Sequence, residues 1–515
     1  MADGDHTEEL SLPIKLRDSS TSLIVPDNRQ LEPAREIGYQ GKPESVEDPN
    51  LISWDGPDDA ANPMNWKRSF KWLITMSLGS VTFCVAISSS IFSTGTKEVA
   101  ELYHVSVEVA VLGTALFILL WGFCFGPLLW GPISEALGRK KPLFLGLFAF
   151  CIFQIPVAVA QNLYTILICR FMAGFASSSA LTVVGGILGD IWDPVTRGVA
   201  VCVFAGAAFI GPVVGPIMGG FITMSYIGWR WNAYITLIIS LFLCVTGFFI
   251  IPETFGPVIL QAKAHKIRLE TRNWAIHSAF DAQEINMKSI IQVYLTRPYI
   301  MLTREPVLLL LTIYMSLIYG ILYLFFEGYP ISFQQHRGWN ARVGALPFIG
   351  LLVGIMIGAG VVIYLTKTRF ALSIKTHGRV IPEERLPPMI LGAAVLPAGL
   401  FWFAWTSSPN ITWVPQVLSG IPIGMGIFMI FLQGMNYIID VYMQNANSAM
   451  AANVMLRSIS GAAFPLFTQA MYDRLGVSWA TTLLALLCVA MFPIPVLFYY
   501  YGPRLRKMSS FSPTE

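Results

Sequence analysis

A chain holding twelve separate apolar runs, each near the roughly 20 residues that a helix needs to cross a bilayer, has few ways to fold in water. The runs cover 72–92, 109–130, 142–160, 163–189, 198–222, 232–251, 306–326, 343–365, 387–406, 411–439, 446–471 and 480–501. Ten contain no charged residue; Arg170 lies in the fourth and Arg457 in the eleventh. Only 13% of the 515 residues are charged, against roughly 25% in an ordinary soluble domain. An all-α membrane protein is the fold class these features predict.

The net charge of +3 is close to neutral for this length and gives no reason to expect a nucleic-acid partner. The seven cysteines, Cys84, Cys124, Cys151, Cys169, Cys202, Cys244 and Cys488, fall inside apolar runs without CxxC spacing. They read as buried free thiols, neither a disulfide framework nor a metal site.

Polar segments divide the chain. Residues 1–65 hold 14 Asp/Glu against 5 Lys/Arg and are dotted with proline; such a segment buries too little apolar surface to offset its ordering entropy and is expected to be a disordered tail. A second polar stretch, 252–305, separates six runs from six and predicts two six-helix bundles, 66–251 and 306–501, followed by a short tail, 502–515. With the N-terminus inside, the inner segments carry 27 Lys/Arg and the outer ones 5. Cytoplasmic loops retain basic residues, so both termini and the 252–305 loop are expected in the cytoplasm.

The fifth run contains FIGPVVGPIMGG, Phe209 to Gly220. In water a proline inside a helix costs about 3 kcal/mol and a glycine about 1 kcal/mol relative to alanine, so something must hold this stretch. Gly211, Gly215 and Gly219 recur every four residues and share one face, where another helix can approach closely. Pro212 and Pro216 also share a face, and the carbonyls they free need partners from neighbouring helices or local 3₁₀ or π adjustments. Between the second and third runs lies GPISEALGRKKP, 131–142. Gly131 and Gly138 permit a tight turn, Glu135 is spaced to pair with Arg139, and Arg139, Lys140 and Lys141 hold the turn on the cytoplasmic side.

This turn resembles the G-x-L-a-D-r-x-G-R-K/R signature of the major facilitator superfamily, with Glu135 for the usual Asp and Ile133 for the usual Leu. CRFMAGFASS, with Arg170 four residues before Gly174, is similar to the superfamily's R-x-x-x-G element. GPVVGPIMGG, including Gly219 and Gly220, resembles the span-five antiporter motif G-P-x-x-G-P-x-x-G-G. The stretches NPMNWKR, GWRWNAYI, PETFGPVIL, YGILYLFFEGYPI, ERLPPMILGA and AANVMLRSISGAAFPLF resemble the twelve-span drug:proton antiporters of fungi, a likeness running from about residue 50 to 507. It implies a two-bundle major facilitator fold that exports a drug-like or secondary-metabolite molecule in exchange for protons by alternating access. It further implies a monomer in the plasma membrane, or alternatively the vacuolar membrane, with no cofactor and no enzymatic step. By the same resemblance the Gly131–Lys140 turn is a cytoplasmic gate, the bent face of span five packs against the other half, and Arg170 takes part in proton coupling. The alternative for Arg170 is an anchor hydrogen-bonded to carbonyls.

Acids able to carry a proton are few. Glu327 lies at the outer end of the seventh run, and Asp190 and Asp440 lie at the cytoplasmic ends of the fourth and tenth, where each can instead anchor a loop. Arg170 and Glu327 are expected to share the coupling task near the outer leaflet. Tyr323 and Phe326 beside Glu327, and Asn453 with Arg457 one turn on, are candidates for the substrate cavity; interfacial anchoring by the aromatics and a structural role for Arg457 are the alternatives. Nothing matches GxxxxGK[ST], and the six histidines lie outside the runs, which leaves no basis for ATP binding or a membrane-embedded enzyme. A polyamine or nutrient permease of the same fold and a non-transporting nutrient sensor are the competing readings.

Overall fold

In a computed structural model, which describes residues 48, 50–118, 126–281, 296–378, 380–509 and 511, the apolar runs form helices. The first six become α1 (Arg68–Ser90), α2 (Val107–Ile118) with α3 (Gly126–Leu137), α4 (Lys140–Val159), α5 (Leu163–Ile191), α6 (Pro194–Thr223) and α7 (Trp231–Ile250). After α8 (Gly256–Thr271) and α9 (Arg297–Arg304) follow α10 (Pro306–Tyr329), α11 (Phe348–Leu365), α12 (Leu386–Trp405), α13 (Gly420–Tyr442), α14 (Ala446–Met491) and α15 (Pro493–Lys507). Local signals mark the starts. The side chains of Asn162 and Asp193 accept the amides of Thr165 and Thr196 at 2.8 and 3.1 Å, and Pro194 occupies the first turn of α6, where its missing N–H costs nothing.

Among the described residues, ten helical stretches are long and apolar enough to cross a membrane, and a shorter apolar helix covers Val107–Phe117. The difference from twelve runs has two sources. The second run is described only at its two ends, residues 119–125 and with them Cys124 lying outside the described residues. The last stretch, Ala446–Lys507, contains both of the final runs, broken at Gly476, whose φ of 73° lies in the left-handed region that glycine adopts without a Cβ penalty. Of the described cysteines, Cys84, Cys151, Cys202, Cys244 and Cys488 are buried and free, and Cys169 is half-buried and free.

In the first set of helices α1 packs on α6 and α4 on α5; in the second α10 packs on α14, while α12 and α11 both pack on α13. The two sets meet where α6 lies on α11 and α2 on α14. Glycines permit the closest approaches. A Cβ at Gly354 would press on the carbonyl of Ile421, and one at Gly424 on the carbonyl of Leu351, so α11 and α13 touch backbone to backbone.

The glycine face of α6 has a different neighbour from the one the motif implies. Gly211, Gly215 and Gly219 face α1 and its continuation, within the same half: a Cβ at 211 would lie 2.5 Å from Ala86 Cβ, and those at 215 and 219 would fall on the hydroxyls of Ser90 and Thr94. The other half is met from other positions on α6, where Phe209 packs on Phe431 of α13 with ring centroids 5.0 Å apart and a Cβ at Gly220 would sit 2.8 Å from the Ala341 carbonyl. A spacing of four marks a face without naming what covers it. Pro216 is accommodated from α1 as well: it cannot bond the carbonyl of Pro212, and Ser90 Oγ donates to that carbonyl at 2.7 Å.

Of the tail expected over 1–65, residues 1–47 lie outside the described residues. Residues 50–65 form a strap over the central segment: Leu51–Ile52 pairs in parallel with His277–Ser278, Lys263 of α8 reaches Asp55 at 2.6 Å, and Asn62 caps the turn Pro63–Asn65. The composition is that of a disordered segment, and the partners that order it lie some 200 residues away. Truncation tests this division. Removal of residues 1–47 is expected to leave transport in vesicles unchanged, whereas removal through 65 lowers the apparent unfolding temperature of the purified protein by a few degrees. Equal stability of the two truncations would mean that the strap holds nothing.

Candidate functional site

The four residues read from sequence as cavity candidates converge. Tyr319, Tyr323 and Phe326 follow one another along one face of α10, with ring centroids 4.9 Å apart for the first pair and 5.0 Å for the second. The Arg457 guanidinium from α14 lies over Tyr319 at 5.0 Å and over Phe431 of α13 at 5.5 Å. One turn earlier, Asn453 Nδ2 donates to Thr312 Oγ1 of α10 at 3.3 Å. The first set of helices closes the cluster: the hydroxyls of Ser89 on α1 and Tyr323 are 3.2 Å apart, and Phe209 of α6 covers Phe431. Arg457 is eleven residues past the first of α14, about 16 Å along a helix rising 1.5 Å per residue. That depth is near the middle of a hydrocarbon core about 30 Å thick.

Arg170 is placed differently. Its Nε donates to the Gly113 carbonyl of α2 at 2.7 Å and its Nη2 to the Ser88 carbonyl of α1 at 3.0 Å. The rings of Phe92 and Phe117 lie 4.6 and 4.9 Å from the guanidinium carbon. The residue therefore ties three helices together, and it borders a small cavity also lined by Gln154, Trp229 and Asn232. Glu327 is half-buried, and Lys97 is the charged group that faces it. Among the described residues no hydrogen bond or ion pair joins Arg170 to Glu327; the guanidinium donates to α1 and α2.

At the end of the bundle marked by the GPISEALGRKKP turn, charges are paired. Arg139 Nε lies 3.3 Å from Asp190 Oδ2 and its Nη1 donates to Ser134 Oγ at 2.8 Å. Glu135, spaced for Arg139, accepts from Asn447 Nδ2 of α14 at 3.0 Å, a contact between the two sets of helices. Burial pushes the Glu135 carboxyl above its ordinary value, with nearby Arg139 opposing and Asp190 adding to the shift. Gly138 turns with a φ of 87°, and a Cβ there would strike the Glu253 carboxylate. That carboxylate accepts the amides of Arg139 and Lys140 at 2.8 and 3.1 Å, where α4 begins and its dipole favours an anion.

The second set of helices repeats this arrangement. Arg385 Nε pairs with Asp440 Oδ2 at 2.9 Å, and Glu383 pairs with Arg506 of α15 at 3.0 Å. Asp190 and Asp440 are thus the acid halves of two ion pairs. Glu253, Glu383, Arg385 and Arg506 were not singled out from sequence. Arg139 and Arg385 each precede the third run of their half, and Asp190 and Asp440 each follow the fourth, so laying one six-run half over the other would have found the second pair.

The family model of the Major Facilitator Superfamily matches residues 78–465. A transporter of the citrinin biosynthesis cluster of Monascus ruber is 51% identical over 510 residues, covering 98% of this chain and 99% of the relative. A transporter of the ascochitine biosynthesis cluster of Didymella fabae is 51% identical over 467 residues, 90% of each chain, and the cercosporin transporter of Cercospora nicotianae is 45% identical over 465 residues, again 90% of each. With matched motifs, membrane-length helices and full-length relatives in agreement, the chain belongs to the major facilitator superfamily of membrane transporters.

Proposed function

We propose that the protein exports a secondary metabolite in exchange for protons, through twelve crossings arranged as two six-helix bundles with both termini in the cytoplasm of a fungal cell and the plasma membrane as its site. The observation that carries this reading is the cluster around Arg457: polar and aromatic groups at mid-depth, contributed by α1, α6, α10, α13 and α14, where a substrate would touch both halves. Two halves rocking about such a site move a solute without a covalent step. The relatives named for the citrinin, ascochitine and cercosporin systems support a secondary metabolite as cargo.

In this reading Glu327 carries the proton. It lies on α10 one residue past Phe326 of the cluster, and a carboxyl that passes between water-exposed and shielded surroundings during rocking takes up and releases a proton. Arg170 holds α1, α2 and α5 as one moving body. The paired ends, with Gly131, Glu135, Gly138, Arg139 and Lys140 on one side and Arg385 on the other, act as the cytoplasmic gate.

The test is substrate accumulation in inverted vesicles and proteoliposomes. An acidic interior is expected to drive substrate inward in inverted vesicles, and Glu327→Gln is expected to cut the response to the pH gradient at least tenfold while substrate still binds. An unchanged response removes Glu327 from the mechanism. Movement in the opposite direction identifies an uptake permease.

A further inference from the structure

Arg457 is 9% exposed, and its Nε and Nη1 have no hydrogen-bond acceptor among the described residues. The contrast with the other buried arginines is direct. Arg170 reaches two carbonyls, and Arg385 is neutralised by Asp440. Arg457 has aromatic faces above it, Tyr319 and Phe431, which stabilise a cation but accept no strong hydrogen bond. The titratable groups that face it are Tyr319 and Tyr323, and among the described residues no carboxylate lies within ion-pair distance. A guanidinium does not lose its proton in a protein, so the charge is uncompensated by any of the described residues.

On the export reading above, we propose that the substrate bears an acidic oxygen group, a carboxylate or an ionised enol or phenol, and that Arg457 receives it. A water molecule would satisfy the free N–H groups and leave the charge; an oxyanion supplies acceptors and charge together, in the geometry that guanidinium recognises best. The rings of Tyr319, Tyr323, Phe326 and Phe431 offer flat apolar surface beside the anion, which fits an aromatic or conjugated skeleton. Asn453 Oδ1, one turn away and also without a donor, suits a hydroxyl next to the acid. An anion bound there lies within reach of groups that both halves contribute, so its binding bears on their relative position.

The test uses the purified full-length chain in detergent, with 2-naphthoate and its neutral isostere 2-naphthamide as probes, titrated at a pH where the acid is ionised. The wild-type protein is expected to bind the acid at least tenfold more tightly than the amide. Arg457→Gln should lower affinity for the acid at least tenfold and leave that for the amide within about threefold, since only the acid uses the charge; Arg457→Lys should fall between. Equal affinities, tighter binding of the amide, no saturable binding of the acid, or an acid preference that survives Arg457→Gln would each overturn the proposal, the first three independently of whether any variant folds. Gradient-driven flux of the amide above that of protein-free liposomes, without preference for the acid, would overturn it and leave the export reading standing. An acid preference without gradient-driven flux of either probe would do the reverse.

Discussion

Gly215→Val is expected to reduce transport several-fold while most of the protein still reaches the membrane. A Cβ at this position falls on Ser90 Oγ and lies 3.0 Å from both the Ile87 carbonyl and the Ile91 amide. The last two are backbone atoms of α1 and its continuation, so the helices must separate; such overpacking costs about 1–3 kcal/mol. The same atom displaces the hydroxyl that bonds the Pro212 carbonyl at 2.7 Å, leaving a buried acceptor unpaired at a further cost of about 1–3 kcal/mol. Because α6 also lies against α11, the displacement reaches the seam between the halves. Ser90→Ala removes the bond without the clash and should show the smaller share of the loss. Gly206→Ala is the control, since a Cβ there meets no atom within 4 Å. Flux per surface-labelled molecule decides it: if Gly215→Val transports like the control, this face is not a tight interface.

Arg385→Ala should be the most destabilising change among the charged residues at the paired end. The side chains of Arg385 and Asp440 are 7% and 9% exposed at a separation of 2.9 Å, and the guanidinium also lies 3.6 Å from the centre of the Phe370 ring. Removing one partner of such a buried pair leaves an uncompensated charge, typically at a cost of about 3–5 kcal/mol. The related pair Arg139–Asp190 is longer, 3.3 Å, and its side chains are 13% and 21% exposed. Water therefore takes over more of the lost interaction, and Arg139→Ala should cost less. The double change Arg385→Met with Asp440→Leu should recover much of the stability lost in Arg385→Ala, because apolar groups of similar volume remove both charges at once. Thermal unfolding of the purified variants measures the order. A larger loss for Arg139→Ala, or no recovery in the double variant, contradicts it.

Long apolar runs and their polar separators were readable in one dimension, because each depends on the summed hydropathy of one span. The convergence of Tyr323, Phe326, Asn453 and Arg457 was anticipated only as a set of candidates. Their grouping depends on α10, α13 and α14 packing together, and no local pattern carries that. Glu135 shows the limit most plainly. Four residues from Arg139 it reads as half of an ion pair; the structure shows Arg139 reaching Asp190 as well, and Glu135 accepting from Asn447, more than 300 residues along the chain.

Hydropathy and length were therefore enough to commit this chain to helices in a bilayer, since every backbone polar group in lipid must be satisfied within its own helix whatever its neighbours are. Its family was legible too, from motifs that keep their spacing because each spans a single turn or helix face. Packing alone assigned the partners. The glycines of α6 meet α1 instead of the other half, Arg170 spends its donors on Gly113 and Ser88, and residues 50–65 are ordered by Lys263 and His277. Each of these is a choice among acceptors or surfaces that the chain offers in several places, and it is made by which helices lie closest once the bundle has formed.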